Sequence, residues 1–275
     1  MRTIAFINRK GGCGKSTTAV GVAATLAELG PRVLLIDLDP QGSSSSWLAG
    51  GPTHDRALFE AFIGTADLAD IAAPSRAAGV DVVPASSSLV TAERSLQVDL
   101  ALGAIRALER LPLFTWDTVV IDCPPTLGYL ASAALCGVRE VVIPTQAHAL
   151  DVPGIDSVIA EMDRVRVRLN PEVTLTGIVV GRMSRTNHAR DVAVTLRAAH
   201  GRDVFDQTIR DSIRVPEAAA AGLPVTVFAP DSPVAGDIRA VAAEVIRRDP
   251  SRPGETPERP GGWRGVFDRL VGARS

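Results

Sequence analysis

Ten residues near the start of the chain, "NRKGGCGKST" at positions 8–17, concentrate groups suited to holding phosphate. Of the 29 basic residues, only Lys10 and Lys15 are lysines, and both lie in this stretch. A lysine ammonium is compact and rotatable, whereas a planar guanidinium would crowd a narrow cradle. Gly11, Gly12 and Gly14 allow the backbone to approach a ligand closely. The N–H groups of such a loop, opening onto a helix N-terminus, surround phosphate oxygens and add a positive dipole end. In that arrangement Lys15 lies against the β- and γ-phosphates and the Ser16 hydroxyl ligates Mg²⁺. Thr17 is either a further hydroxyl within reach of an α-phosphate or an ordinary residue of the first helical turn. Cys13 either fills a small position or sets a thiol beside the nucleotide, and reactivity would require a depressed pKa.

Two further places carry carboxylates at the ends of apolar runs. "RVLLIDLDPQG" sets Asp37 and Asp39 where ligand sites of parallel sheets lie, at the carboxyl ends of strands. A carboxylate near a γ-phosphate can orient water, and positioning contributes more than basicity. "DTVVIDCPP" ends in Asp122, an aspartate after four residues of strand type, placed to hold Mg²⁺ through a water. Cys123-Pro124-Pro125 then leaves the sheet stiffly.

The elements that must position these residues follow from the hydrophobic pattern. Short Val- and Ile-rich runs at 3–8, 32–37, 80–85, 117–122, 140–145 and 175–181 predict strands. Between them, 16–29, 89–110, 153–169, 189–200 and 237–248 read as helices, the first ended by Gly30-Pro31. Continuous apolar strands alternating with helices imply an α/β fold: a doubly wound, mostly parallel sheet with helices on both faces. Composition shifts at Asp249. Residues 1–248 are expected to form one domain, and 249–275 a Pro/Gly-rich linker followed by a short tail. In the tail, Trp263, Val266, Phe267, Leu270 and Val271 share one helical face flanked by arginines. Docking on a partner or on the chain itself, disorder, and membrane contact are its three readings.

Bulk properties narrow the function further. Net charge is −2, so attraction to DNA or anionic lipid must come from a local patch. Cys13, Cys123 and Cys136 have no paired spacing, and the 4 histidines are scattered. A disulfide scaffold or zinc site is not expected, and a reducing cytoplasm is. The N-terminus reads as a strand rather than a signal peptide, and no apolar run approaches the roughly 20 residues of a spanning helix.

Position 9, where the usual phosphate loop has glycine, is Arg9, and Lys10 is added. This pattern resembles the deviant Walker A motif K-G-G-x-G-K-[ST] of the ParA/MinD group of P-loop ATPases, and "DLDPQG" extends the resemblance. The resemblance covers about residues 1–248. It implies that ATP and Mg²⁺ are bound and that Lys10 reaches across a nucleotide-sandwich homodimer to the partner's phosphates. It also implies that Asp39 lies in a first switch loop and orients water, with Lys10, Lys15 and Asp39 as the catalytic set. The loop after Asp122 corresponds to a second switch. The stretches "SRTNH" and "TIRDSIRVPEA" resemble the ParA/Soj subgroup, where arginines contact DNA phosphates. By matching position these are Arg185 and Arg214, with Arg210 beside them. The departure is Asp211, which weakens the local positive field. The resemblance implies a nucleoid-associated cytoplasmic ATPase. It would bind DNA nonspecifically and answer to a ParB-like activator, turning over slowly until stimulated. No extension able to hold a helix-turn-helix precedes the first strand, so sequence-specific operator binding is not expected. The alternative the resemblance carries is a MinD-like ATPase that uses the tail on a membrane.

Overall fold

The apolar runs become strands of one 8-stranded sheet. The computed structural model describes residues 1–49, 57–86, 88–89, 97–111, 115–147, 152–184 and 187–250. The strands are β1 (Arg2–Phe6), β2 (Val33–Asp37), β3 (Ala73–Pro74), β4 (Val80–Val83), β5 (Thr118–Asp122), β6 (Glu140–Gln146), β7 (Thr174–Met183) and β8 (Val204–Arg210). Their order in space is β3-β4-β2-β5-β1-β6-β7-β8. Only β3 runs antiparallel to its neighbour.

Successive side chains of a strand face opposite sides of the sheet, and both sides here are covered. Ala5, Leu34, Ile36, Val119, Ile121, Val141 and Ile143 join one apolar layer; Ile4, Phe6, Val33, Leu35, Val120 and Val142 join the other. The first layer receives α3 (Ala57–Ile63), α5 (Gln97–Glu109), α6 (Tyr129–Gly137), α7 (Val152–Arg168) and α8 (Asn187–His200). The second receives α1 (Lys15–Glu28), α2 (Ser43–Leu48), α9 (Arg214–Ala221), α10 (Val225–Phe228) and α11 (Pro233–Arg247). A one-turn helix, α4 (Leu68–Ile71), lies before β3. The α1–α11 contact depends on Gly21, where an added Cβ would stand 2.6 Å from Ile238 Cγ2.

The long helices agree with the sequence expectation to within a few residues, with two differences. The helix expected from 237 starts at Pro233, because the Ser232 hydroxyl accepts from the Ala235 N–H and proline suits the first helical position. The helix expected over 89–110 is described as Gln97–Glu109, and residues 90–96 lie outside the described set. Residues 204–221 form β8 and α9, elements the sequence pattern had not marked. No described helix is long and apolar enough to cross a membrane. The tail beyond residue 250 lies outside the described residues.

Candidate nucleotide site

Strand register builds the site. Phe6 on β1 and Asp37 on β2 both stand level with Asp122 on β5. Those three strands are adjacent, so the loop leaving β1 and both aspartates meet at one carboxyl-terminal edge. Gly12 and Gly14 take left-handed backbone angles, φ 71° and 90°, which favour glycine. Gly14 caps α1, so the loop ends on a helix N-terminus. Lys15 is buried, and its ammonium donates to the Lys10 carbonyl at 3.1 Å. The ammonium thus closes the loop across five residues.

Two residues the sequence reading did not single out brace this loop. Asn8 donates to the Pro144 carbonyl at 2.7 Å and accepts from the Lys10 N–H at 3.1 Å. The Gln146 amide donates to the Gly12 carbonyl. Asn8 stands two residues after β1 and Gln146 ends β6, which was the only signal available. Cys13 is fully buried, with Sγ 4.0 Å from Lys15 Nζ. It occupies interior space beneath the loop, which accords with the filling role.

The acids divide into distinct tasks. Asp37 spends its carboxylate on the chain itself. Oδ1 accepts from the Asp39 N–H at 3.1 Å, and Oδ2 accepts from the Ser45 N–H at 2.8 Å and hydroxyl at 2.7 Å. Asp122 Oδ2 accepts from the Ser44 hydroxyl at 2.6 Å, while its buried Oδ1 has no hydrogen-bond partner. Burial, then the charge of Asp122, push Asp37 up to about 7. Burial likewise raises Asp122 to about 6, against the pull of the Ser16 and Ser44 hydroxyls and the Lys15 charge. Two facing carboxylates held dry with one nearby ammonium lack countercharge. Burial drives the Cys123 thiol upward, away from the thiolate form.

The unpartnered Asp122 Oδ1 and the Ser16 hydroxyl beside that carboxylate are oxygen donors of the kind that would suit a Mg²⁺ ion. Among the described residues, no group of three or more His, Cys, Asp or Glu could hold a metal by itself. A divalent cation held here would need phosphate oxygens and water to complete its shell. Above lies a cavity of about 1010 Å³, lined by Gly11, Gly12, Gly14, Lys15, Ser16, Thr17 and Asp39 among others. Asp39 keeps an oxygen on the local turn, accepting from the Gln41 N–H at 3.0 Å. The cavity is lined further by Ile209, Arg210, Asp211, Ser212, Ile213, Val215 and Pro216, apolar, polar and charged residues together. Arg182 also lines it, in a left-handed conformation of φ 48° and 3.6 Å from Asp211. The sequence offered no sign of that strain.

The arginines matched to DNA contacts are placed unequally. Arg210 forks onto Asp237 at 2.6 and 2.9 Å. Arg214 pairs with Glu217 one helical turn away at 2.8 Å, on the surface. Arg185 lies outside the described residues.

A glycine-rich loop between a central parallel strand and a helix, over a lysine, a hydroxyl and a buried aspartate, defines a P-loop nucleotide-binding protein. Comparison with known proteins agrees. Residues 1–175 match the family model described as "AAA domain". The chromosome partitioning protein ParA of Caulobacter vibrioides is 37% identical over 264 residues, covering 92% of this chain and 96% of that protein. The chromosome-partitioning ATPase Soj of Thermus thermophilus is 40% identical over 250 residues, covering 90% and 96%. Among solved structures, cobyrinic acid a,c-diamide synthase from Mycobacterium smegmatis, with bound ATP analog and magnesium, superposes with a TM-score of 0.72. It has 29% identity and covers 90% of this chain and 95% of that one. The chain belongs to the ParA/MinD superfamily of P-loop ATPases.

Proposed function

We propose that this protein is a partitioning ATPase that splits ATP with water into ADP and phosphate, using Mg²⁺, and binds DNA while ATP holds two copies together. The observation that carries the chemistry is Asp122: buried, held on one oxygen by Ser44, and unpartnered on the other below Lys15 and Ser16. Lys15 and the loop N–H groups hold the phosphates, Ser16 and Asp122 serve the cation, and Asp39 orients water from the cavity wall. The cation neutralises charge on the transferring phosphoryl group. Lys10 acts across the homodimer. The partitioning role is supported by relatives named for it that are 37% and 40% identical over nearly their whole length.

DNA is held through its phosphates, without sequence preference, by a surface that doubles on dimerisation. Arg214 leads that surface, because its pair with Glu217 is exposed and of small worth. Arg210 must first exchange the Asp237 carboxylate. A ParB-like protein stimulates slow basal turnover, and the protein works on the nucleoid in the cytoplasm.

Binding of the Asp39→Ala protein to random-sequence duplex DNA, with ATP–Mg²⁺ and with ADP over a salt series, tests this. Binding with ATP alone, weakening steeply with salt, is expected. Binding in neither state removes DNA from the proposal and turns attention to the tail and anionic vesicles.

A further inference from the structure

The nucleotide reading leaves one buried group without a task. Ser44 is fully buried in the first turn of α2, a helix that follows the Asp39 loop. Its hydroxyl donates at 2.6 Å to Oδ2 of Asp122, 78 residues away in sequence. Its neighbour Ser45 is spent on Asp37 and on the Ala85 N–H. The turn therefore delivers one hydroxyl to each of two level, buried carboxylates.

We infer that Ser44 is a positioning residue for magnesium, acting through Asp122, an assignment that rests on the ATPase reading above. A carboxylate held on one oxygen by a hydrogen bond is restrained from turning about its last bond. It therefore presents the other oxygen in one preferred direction, and Asp122 Oδ1 is the one left for the cation's shell. Hydrogen bonds to a metal-ligating carboxylate set its orientation in this way. The same bond ties the start of α2, and hence the Asp39 loop, to the cation side of the site. Removing the hydroxyl frees Asp122 to rotate and leaves Oδ2 buried without a donor.

The test uses the full chain with ADP. Magnesium is titrated while the ADP-dependent rise in melting temperature is followed, and ADP affinity is measured separately in EDTA. In Ser44→Ala the magnesium concentration at half-saturation should rise about 10- to 100-fold, the usual effect of losing such a partner. ADP affinity in EDTA should stay within about threefold of the parent, since no phosphate contact is lost. Ser44→Thr, which keeps the hydroxyl, should return the magnesium response close to the parent's. An unchanged magnesium half-saturation in Ser44→Ala, whatever its melting temperature without ligand, overturns the assignment and leaves Ser44 a filler of the interior. Should Ser44→Ala not fold, Ser44→Cys takes its place, and equal responses of the Cys and Thr variants overturn the assignment. A parent protein whose ADP complex ignores magnesium would bring down the ATPase reading itself, an outcome distinct from either.

Discussion

Lys15 separates charge from shape. Its ammonium sits in a buried position and reaches back to the Lys10 carbonyl at 3.1 Å, a path with room for one small donor. Lys15→Arg keeps the charge yet carries a broad fork, so Mg–ADP affinity should fall at least about tenfold, or ~1.4 kcal/mol. Calorimetric titration measures it; near-parent affinity would show that charge alone matters. Asp39 makes the opposite case. It holds a local turn and lines the cavity without bracing the phosphate loop. Asp39→Ala should therefore retain nucleotide while phosphate release falls by about 100-fold or more. Equal loss of both would make Asp39 a binding residue instead. The residues proposed to hold phosphate were legible in the sequence because loop and helix start are contiguous. Ser44, Asn8 and Gln146 were not, because their partners arrive through the register of strands far apart in the chain.

The elements show what hydrophobic pattern can and cannot report. Buried parallel strands such as "VLLID" and "TVVID" announce themselves, since both faces are apolar. β8, "VFDQTIR", does not: it is an edge strand, half polar, and the sequence reading weighed only its one arginine, Arg210. Helices α2, α4 and α10, of 6, 4 and 4 residues, are too short for a helical period to register. β8 is secured from α11 by Glu244, whose fully buried carboxylate accepts from the N–H groups of Asp206 and Gln207 at 3.1 Å each. The same carboxylate pairs with Arg248 at 2.7 Å. Glu244→Ala strands both backbone donors and an arginine together, so unfolding free energy should drop by about 3–5 kcal/mol in urea. A loss under about 1 kcal/mol would mean that water replaces the carboxylate and that the edge does not depend on it.

Across the described residues, α11 and the residues after it are tied to β1 by Arg2 and to the β7–β8 side of the sheet by Arg248. Its guanidinium lies 4.4 Å from the Phe205 ring centre. It donates to the carbonyls of Arg202 at 2.9 Å and Thr176 at 3.2 Å, besides its pair with Glu244. The Arg2 guanidinium, held by Glu140, reaches the Val245 carbonyl at 2.7 Å on the same helix. The composition change expected at Asp249 thus falls beside anchored side chains, Arg248 and Asp249 itself, whose carboxylate lies 3.8 Å from the Arg2 guanidinium. A chain ended after Pro250 should keep its melting temperature within about 2 °C, because it retains every side-chain contact described above. A chain ended after Arg247 leaves Glu244 short of its partner and exposes the Phe205 ring. A loss of about 2 kcal/mol, or roughly 4–8 °C for a domain of this size, is expected. Calorimetry on the two truncations separates anchor from tail. The same pair divides the functional readings. If the chain ended after Pro250 binds DNA with ATP as the parent does, the tail is dispensable to the nucleoid reading. If only the parent binds anionic vesicles, the apolar face of Trp263, Phe267 and Leu270 makes the contact. DNA binding that vanishes with the tail while the melting temperature holds would place the nucleic-acid surface beyond residue 250, displacing Arg214 from its leading position.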